Sequence, residues 1–243
     1  MPLKGHVVLV TGSSSGIGEA VARRFAAEGA SVLVNSARSV EAGRAVAASL
    51  PDAHYEQGDI TVPADTERLV AVALERWGRL DTLVNNAGTT RAIPHADLEA
   101  ATVEVWRAIF EVNVFGTWSM TMAAVPALRQ SAGAVVNVGS VAGLRPTGSS
   151  IPYAASKAAL HHQTVLLAKA IGSGVRVNAV APGLIDTPWS ADWDELRQVV
   201  SATTPLRRTG RPEDVAHVIY LVATAAYMTG EVVGVDGGLS KVT

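Results

Sequence analysis

Tyr153 and Lys157 stand in the run Ser140-(x)12-Tyr-Ala-Ala-Ser-Lys, a spacing suited to moving a proton. A tyrosine can exchange protons with a hydroxyl or carbonyl near neutral pH only if its pKa, about 10 unperturbed, is drawn down. A lysine four positions on lies one turn away on the same helical face. Its ammonium favours the phenolate. Such a pair alone is common on solvated helices. Far upstream, however, Thr11-Gly12-Ser13-Ser14-Ser15-Gly16-Ile17-Gly18 follows an apolar run and opens a helical pattern, as a dinucleotide-binding turn does. There Gly12 permits the tight turn, Gly16 lets backbone approach a pyrophosphate, and Gly18 lets helix and strand pack closely. The helix N-terminus offers its free N–H groups to phosphate, and Ser13, Ser15 and Ile17 complete the cofactor-facing turn. The two motifs together imply hydride transfer between a nicotinamide and a carbonyl or alcohol.

Short valine-rich runs recur along the chain at His6–Val10, Ser31–Asn35, Ala53–Gln57, Thr82–Asn85, Ala134–Val138, Val175–Val180 and Val232–Val235. They are mostly apolar throughout rather than alternating, the pattern of parallel strands buried on both faces. Helical patterns separate them at Gly16–Glu28, Val40–Leu50, Ala64–Trp77, Val103–Leu128, Tyr153–Ile171 and Glu213–Ala223. This alternation predicts an α/β fold, a doubly wound parallel sheet of the Rossmann type, in one domain over residues 1–243. Ligands then bind beyond the carboxyl ends of the strands, where strand order reverses. Residues 184–211 break the rhythm with a loop and a short helix of their own. With Trp189 and Trp193 they read as a substrate lid.

The formal charge of −2 gives no reason to expect nucleic acid or an anionic membrane as partner. Without cysteine, disulfides, thiol catalysis and thiolate metal sites are excluded, and no metal site is expected. His161 and His162 point to different helix faces and read as packing or interface residues. The run Val7–Val10 is too short for a signal-peptide core, so a soluble, cytoplasmic protein is expected.

The second strand decides which nicotinamide cofactor is preferred. An acidic residue at its tip would grip a ribose 2′-hydroxyl, but here the run is Val34-Asn35-Ser36-Ala37-Arg38. A guanidinium suits a 2′-phosphate, so Ser36 and Arg38 predict NADP(H), although Arg38 also fits an ordinary surface role. Asp59 and Ile60 end the third strand beside the adenine position, where Asp59 equally suits an Asx turn. Asn86, Ala87 and Gly88 follow the fourth strand, where backbone must pass close to the ribose.

These motifs, with Asn113 and with Pro182-Gly183 and Val235-Asp-Gly-Gly238, resemble the short-chain dehydrogenases/reductases in their form of about this length. The resemblance covers nearly the whole chain. The sugar-nucleotide epimerases share the Tyr-x-x-x-Lys but space their glycines differently. What the resemblance implies is a relay. Tyr153 is the general acid in reduction and base in oxidation. Lys157 lowers the Tyr153 pKa and bonds the nicotinamide ribose, Ser140 holds the substrate oxygen, and Asn113 keeps a water in line with Lys157. Pro182, Gly183, Ile185 and Thr187 seat the nicotinamide, and a homotetramer is implied. Two connections, around Gly172–Gly174 and Ala223–Tyr227, look trimmed relative to common members. The Ser13–Ser15 turn lacks the basic residue that many NADP-preferring members carry. The substrate is a small carbonyl or alcohol, with a 3-oxoacyl thioester one version. Residues around Thr89–Pro94, Val141–Ser150 and Leu184–Trp193 would line its pocket. The rival from another class is a non-catalytic dinucleotide-binding scaffold or sensor.

Overall fold

Runs of valine with no polar face are stable as strands only when both sides are covered. The computed structural model, which describes residues 3–242, covers them. Every residue is buried in β1 (Val7–Val10), β2 (Ser31–Ser36), β4 (Thr82–Asn85) and β5 (Ala134–Val138). With β3 (Ala53–Gln57), β6 (Arg176–Pro182) and β7 (Val232–Val235) they form one parallel sheet in the order β3-β2-β1-β4-β5-β6-β7. The chain winds outward through β2 and β3, then crosses back to place β4 beside β1. That reversal opens a crevice at the carboxyl ends of β1 and β4.

Helices cover both faces. On one, α1 (Gly16–Ala27) and α8 (Pro212–Thr224) bury Val21, Phe25, Val215 and Ile219 against Val8, Val10 and Val32. On the other, α3 (Pro63–Trp77), α5 (Thr117–Ser131) and α6 (Ile151–Ile171) bury Leu69, Met120, Leu128 and Leu167 against Leu9, Leu33 and Val135. Helix α2 (Val40–Ala48) joins β2 to β3. The domain is single.

Beyond shifts of one or two residues at other element ends, the structure departs from the sequence reading in the following ways. The stretch expected as one helix from Val103 to Leu128 is divided into α4 (Val103–Phe110), a π-helical segment Glu111–Gly116, and α5. Helix α6 begins at Ile151 because the Ser150 hydroxyl caps it, accepting the Tyr153 N–H at 3.3 Å, and Pro152 suits the first turn. Strand β6 continues to Pro182 because β7 pairs with its last residues, Pro182 opposite Val235.

The connection around Ala223–Tyr227 is well satisfied. The Arg176 guanidinium donates to the carbonyls of Val222, Ala223 and Ala225 at 3.4, 2.6 and 2.9 Å, closing the end of α8. After β6 the chain leaves the sheet, forms α7 (Asp194–Thr203) and returns, with Gly210 bridging back to Ile185. No helix among the described residues is long and apolar enough to cross a membrane.

Candidate active site

Above the strand reversal lies a cleft of about 560 Å³. One half is shaped by the turn from β1 to α1. Gly12 and Gly16 adopt φ of 62° and 58°, the left-handed region open to glycine. A β-carbon on Gly12 would sit 2.9 Å from Ala87 Cα. One on Gly18 would overlap the Gly12 carbonyl and the Asn86 amide, so Gly18 packs helix against turn as expected. The turn is braced from below. Thr11 Oγ1 accepts the Asn86 and Ala87 N–H groups at 3.0 Å, and Asn86 Nδ2 donates to the Thr11 and Gly12 carbonyls at 3.0 and 2.8 Å. Asn35 Oδ1 accepts the Gly12 N–H at 3.3 Å.

Ser15 caps α1 without a side-chain bond, so the first-turn N–H groups face the cleft. The glycine cradle and this open helix end fit a dinucleotide pyrophosphate. Ser15, Gly16, Ile17, Ser36, Arg38, Asp59, Ile60, Asn86, Ala87 and Gly88 all line the cleft. Ser13 does not. It is wholly buried, its hydroxyl donating to the Val10 carbonyl at 2.7 Å and accepting the Asn35 N–H at 3.0 Å. The sequence reading of Ser13 as a cofactor contact is corrected: it is a strut beneath the turn. Asp59 lines the cleft and forms the Asx turn, its Oδ1 accepting from Thr61 N and Oγ1 at 2.9 and 2.8 Å.

The other half is built on β5, α6 and the chain after β6. Pro182, Gly183, Ile185 and Thr187 line it, and a β-carbon on Gly16 would lie 3.2 Å from Thr187 Cγ2, so the two halves nearly touch there. Ser140 leaves β5 with its Oγ accepting the Ala142 N–H at 3.1 Å, and its hydroxyl stands close enough to the Tyr153 phenol to lower its pKa. Burial pushes the Tyr153 pKa up, while the Ser140 hydrogen bond pulls it down. The expected depression by Lys157 is not what this geometry gives. Lys157 Nζ lies 5.8 Å from the Tyr153 ring centre and donates to the Val138 carbonyl at 2.8 Å. Burial lowers its own pKa to about 8.

Asn113 points inward from the π segment, whose extra residue per turn is a common device at functional sites. Its Nδ2 donates to Thr89 O and Ser156 Oγ at 2.9 and 3.0 Å, and its Oδ1 accepts the Thr89 N–H at 2.8 Å. It ties the chain after β4 to α6 beneath Lys157 and is not part of the cleft lining.

Over Tyr153 stands Trp189, ring centres 6.5 Å apart at 61°. Trp193, Leu196, Val200 and Leu239 continue an apolar wall, with hydroxyls from Thr147 and Ser149. Arg91 and Arg145 stay outside it, Arg145 donating instead to the Ser240 carbonyl at 2.8 Å. His161, read from sequence as a packing or interface residue, is buried directly behind Ser140. One more step of four along the Tyr153–Lys157 face would have pointed to it.

Residues 12–240 match a family profile described as Enoyl-(Acyl carrier protein) reductase. The chain is 61% identical over 236 residues to a Streptomyces violaceoruber protein named as ketoacyl reductase 2 of the granaticin polyketide synthase, covering 96% of this chain and 95% of the relative. It is 39% identical to the 3-oxoacyl-[acyl-carrier-protein] reductase FabG of Thermotoga maritima, covering 98% and 99%. A crystal structure from Brucella melitensis described as a short-chain dehydrogenase/reductase, glucose/ribitol dehydrogenase, superposes with a TM-score of 0.92 at 31% identity, covering 98% of each chain.

Proposed function

This chain belongs to the short-chain dehydrogenases/reductases and is an oxidoreductase acting on carbonyl and alcohol groups, and we propose that it reduces a ketone to a secondary alcohol with NADPH. The observation that carries this reading is that Ser140, Tyr153 and buried Lys157 line one cleft together with the glycine cradle. When bound, the nicotinamide supplies the hydride. Tyr153, held protonated by burial, delivers the proton to the substrate oxygen. The Ser140 hydroxyl bonds that oxygen and steadies the charge developing on it. Lys157, with its pKa near 8, replenishes the proton and offers a hydrogen bond to the ribose. Asn113 fixes the distance between the Thr89 backbone and α6, which keeps Lys157 in line.

Preference for NADPH rests on exposed Arg38 beside Ser36 and Ala37, with no carboxylate at the tip of β2 to repel a 2′-phosphate. Residues 184–211 act as the lid over the substrate. Its apolar wall suits a neutral ketone on an apolar skeleton. The names of the two relatives favour a 3-oxoacyl thioester among such ketones. Exposed Phe115, Trp118, Val165 and Leu166 support a homotetramer in which the helices of one subunit pair with those of the next. Light scattering on the purified protein checks this, and a monomer would rule it out. A cytoplasmic location completes the reading and is checked by cell fractionation.

The test of function follows NADPH absorbance against 3-oxoacyl thioesters, small ketones and sugars. Oxidation of NADPH that vanishes in Tyr153→Phe is expected. Equal turnover in that variant would overturn the mechanism.

A further inference from the structure

We infer that His161 is a positioning residue for Ser140: its imidazole accepts the Ser140 backbone N–H and thereby sets where the Ser140 hydroxyl meets Tyr153. Helix α6 presents Tyr153, Lys157 and His161 at successive steps of four, so the three share one face. His161 Nε2 lies 3.4 Å from the Ser140 nitrogen. The strand-end loop is moulded around the ring. A β-carbon on Gly139 would overlap Nε2, and one on Gly143 would come within 2.8 Å of Cε1. These two glycines flank Ser140, so on this side the loop that carries it closes directly on the imidazole, while Val141 and Ala142 are buried beside it.

To accept from Ser140, Nε2 must be bare, which places the ring proton on Nδ1. Burial and the nearby Lys157 ammonium outweigh the opposing pull of the Gly143 backbone and keep the ring neutral, its pKa lowered to about 4. Nδ1 is buried with no hydrogen-bond partner. An unpartnered buried donor is destabilising, and a leucine would fill this space without that cost. A histidine is explained here by its acceptor. From the backbone N–H the constraint passes one residue to the hydroxyl, which is held on its other side by the Ala142 N–H. Small displacements of such a group weigh heavily on rate.

The proposal rests on the reductase reading, so the parent chain and Tyr153→Phe are assayed first on the same ketone; loss of that reading would show there. His161→Leu and His161→Gln are then compared for melting temperature, NADPH titration, kcat and KM. In His161→Leu, kcat is expected to fall about tenfold or more, with the NADPH dissociation constant within about twofold of the parent. In His161→Gln, whose Oε1 can reach the Ser140 N–H, kcat is expected to return to within about threefold. Parent-level kcat in His161→Leu would overturn the proposal, as would equal losses in both variants that track a common fall in melting temperature. Should His161→Leu fail to fold, His161→Asn, whose amide is too short to reach Ser140, must show the same loss of kcat. Parent-level kcat in that variant would overturn it too.

Discussion

The turn from β1 to α1 and the excursion at residues 184–211 face each other across one cleft, yet they are fastened in opposite ways. The turn is held by buried and part-buried hydrogen bonds from Thr11, Ser13, Asn35 and Asn86, and by glycines that leave no room for a side chain. The excursion has a buried tie, from Ser190 Oγ to the Ile185 carbonyl at 2.8 Å, and is otherwise held nearer its surface. Arg197 reaches Asp186 at 3.2 Å, the Ala191 carbonyl at 3.1 Å and Asp194 at 2.5 Å, and it also donates to the Ser190 carbonyl. Thr209 closes the base on Asp186 at 2.7 Å. Buried polar networks are rigid because each broken bond leaves a costly orphan. Exposed ion pairs are worth only about 0–1 kcal/mol. One wall is therefore rigid, and the other, as the proposed lid, would open at lower cost.

Tyr153→Phe sets the scale for both walls, since it removes only the phenol hydroxyl and keeps the ring beneath Trp189. Steady-state assays should show turnover falling by about 10²–10⁴, with NADPH titration unchanged. Gly18→Ala attacks the rigid wall. Its new methyl meets backbone on two sides, so thermal melts should show about 1–3 kcal/mol of lost stability, and NADPH affinity should drop about tenfold. If the variant binds NADPH normally, the turn is softer than its hydrogen bonds imply.

The pH profile separates chemistry from either wall. Reduction consumes a proton, and Lys157 loses its own through about pH 8. Thus kcat/KM should fall above that pH toward about tenfold per unit. Stability linked to Lys157 moves the other way. Its folded pKa lies below the unfolded value, so the unfolded chain binds more protons between about 8 and 10.5, and this group's contribution rises with pH in that window. Activity lost there without a falling melting temperature is the expected signature.

Arg38→Asp should reverse the preference from NADPH to NADH, with kcat/KM for NADPH falling about tenfold. An unchanged ratio would return Arg38 to the surface. Arg197→Ala should be mildest, raising the substrate KM a few-fold while stability changes by less than about 1 kcal/mol. A large stability loss would mean that both walls are built alike.

The same contrast governs what was legible in the sequence. Buried parallel strands announce themselves as valine runs, and the glycine turn announces itself because backbone approach requires glycine at fixed offsets. Ser140, Tyr153 and Lys157 were legible because helical spacing brings two of them onto one face. Ser13 was misread because side-chain direction inside a turn depends on local dihedrals, which residue type does not reveal. His161 was missed because its partner arrives from another element, and a histidine on an apolar helix face looks like filler. The balance at Tyr153 was hidden too, since desolvation depends on everything packed around the ring.

The π segment at Glu111–Gly116 carries one residue more than a regular α-helix would need. A single-codon deletion there would leave an unbroken helix from α4 into α5, while turning the residues on one side of it by about 100° relative to the other. Asn113 would leave Thr89 and Ser156 although no side chain had changed its chemistry. Catalytic competence in this fold is thus encoded partly as chain length, so insertions and deletions, more than substitutions, are what this helix cannot absorb.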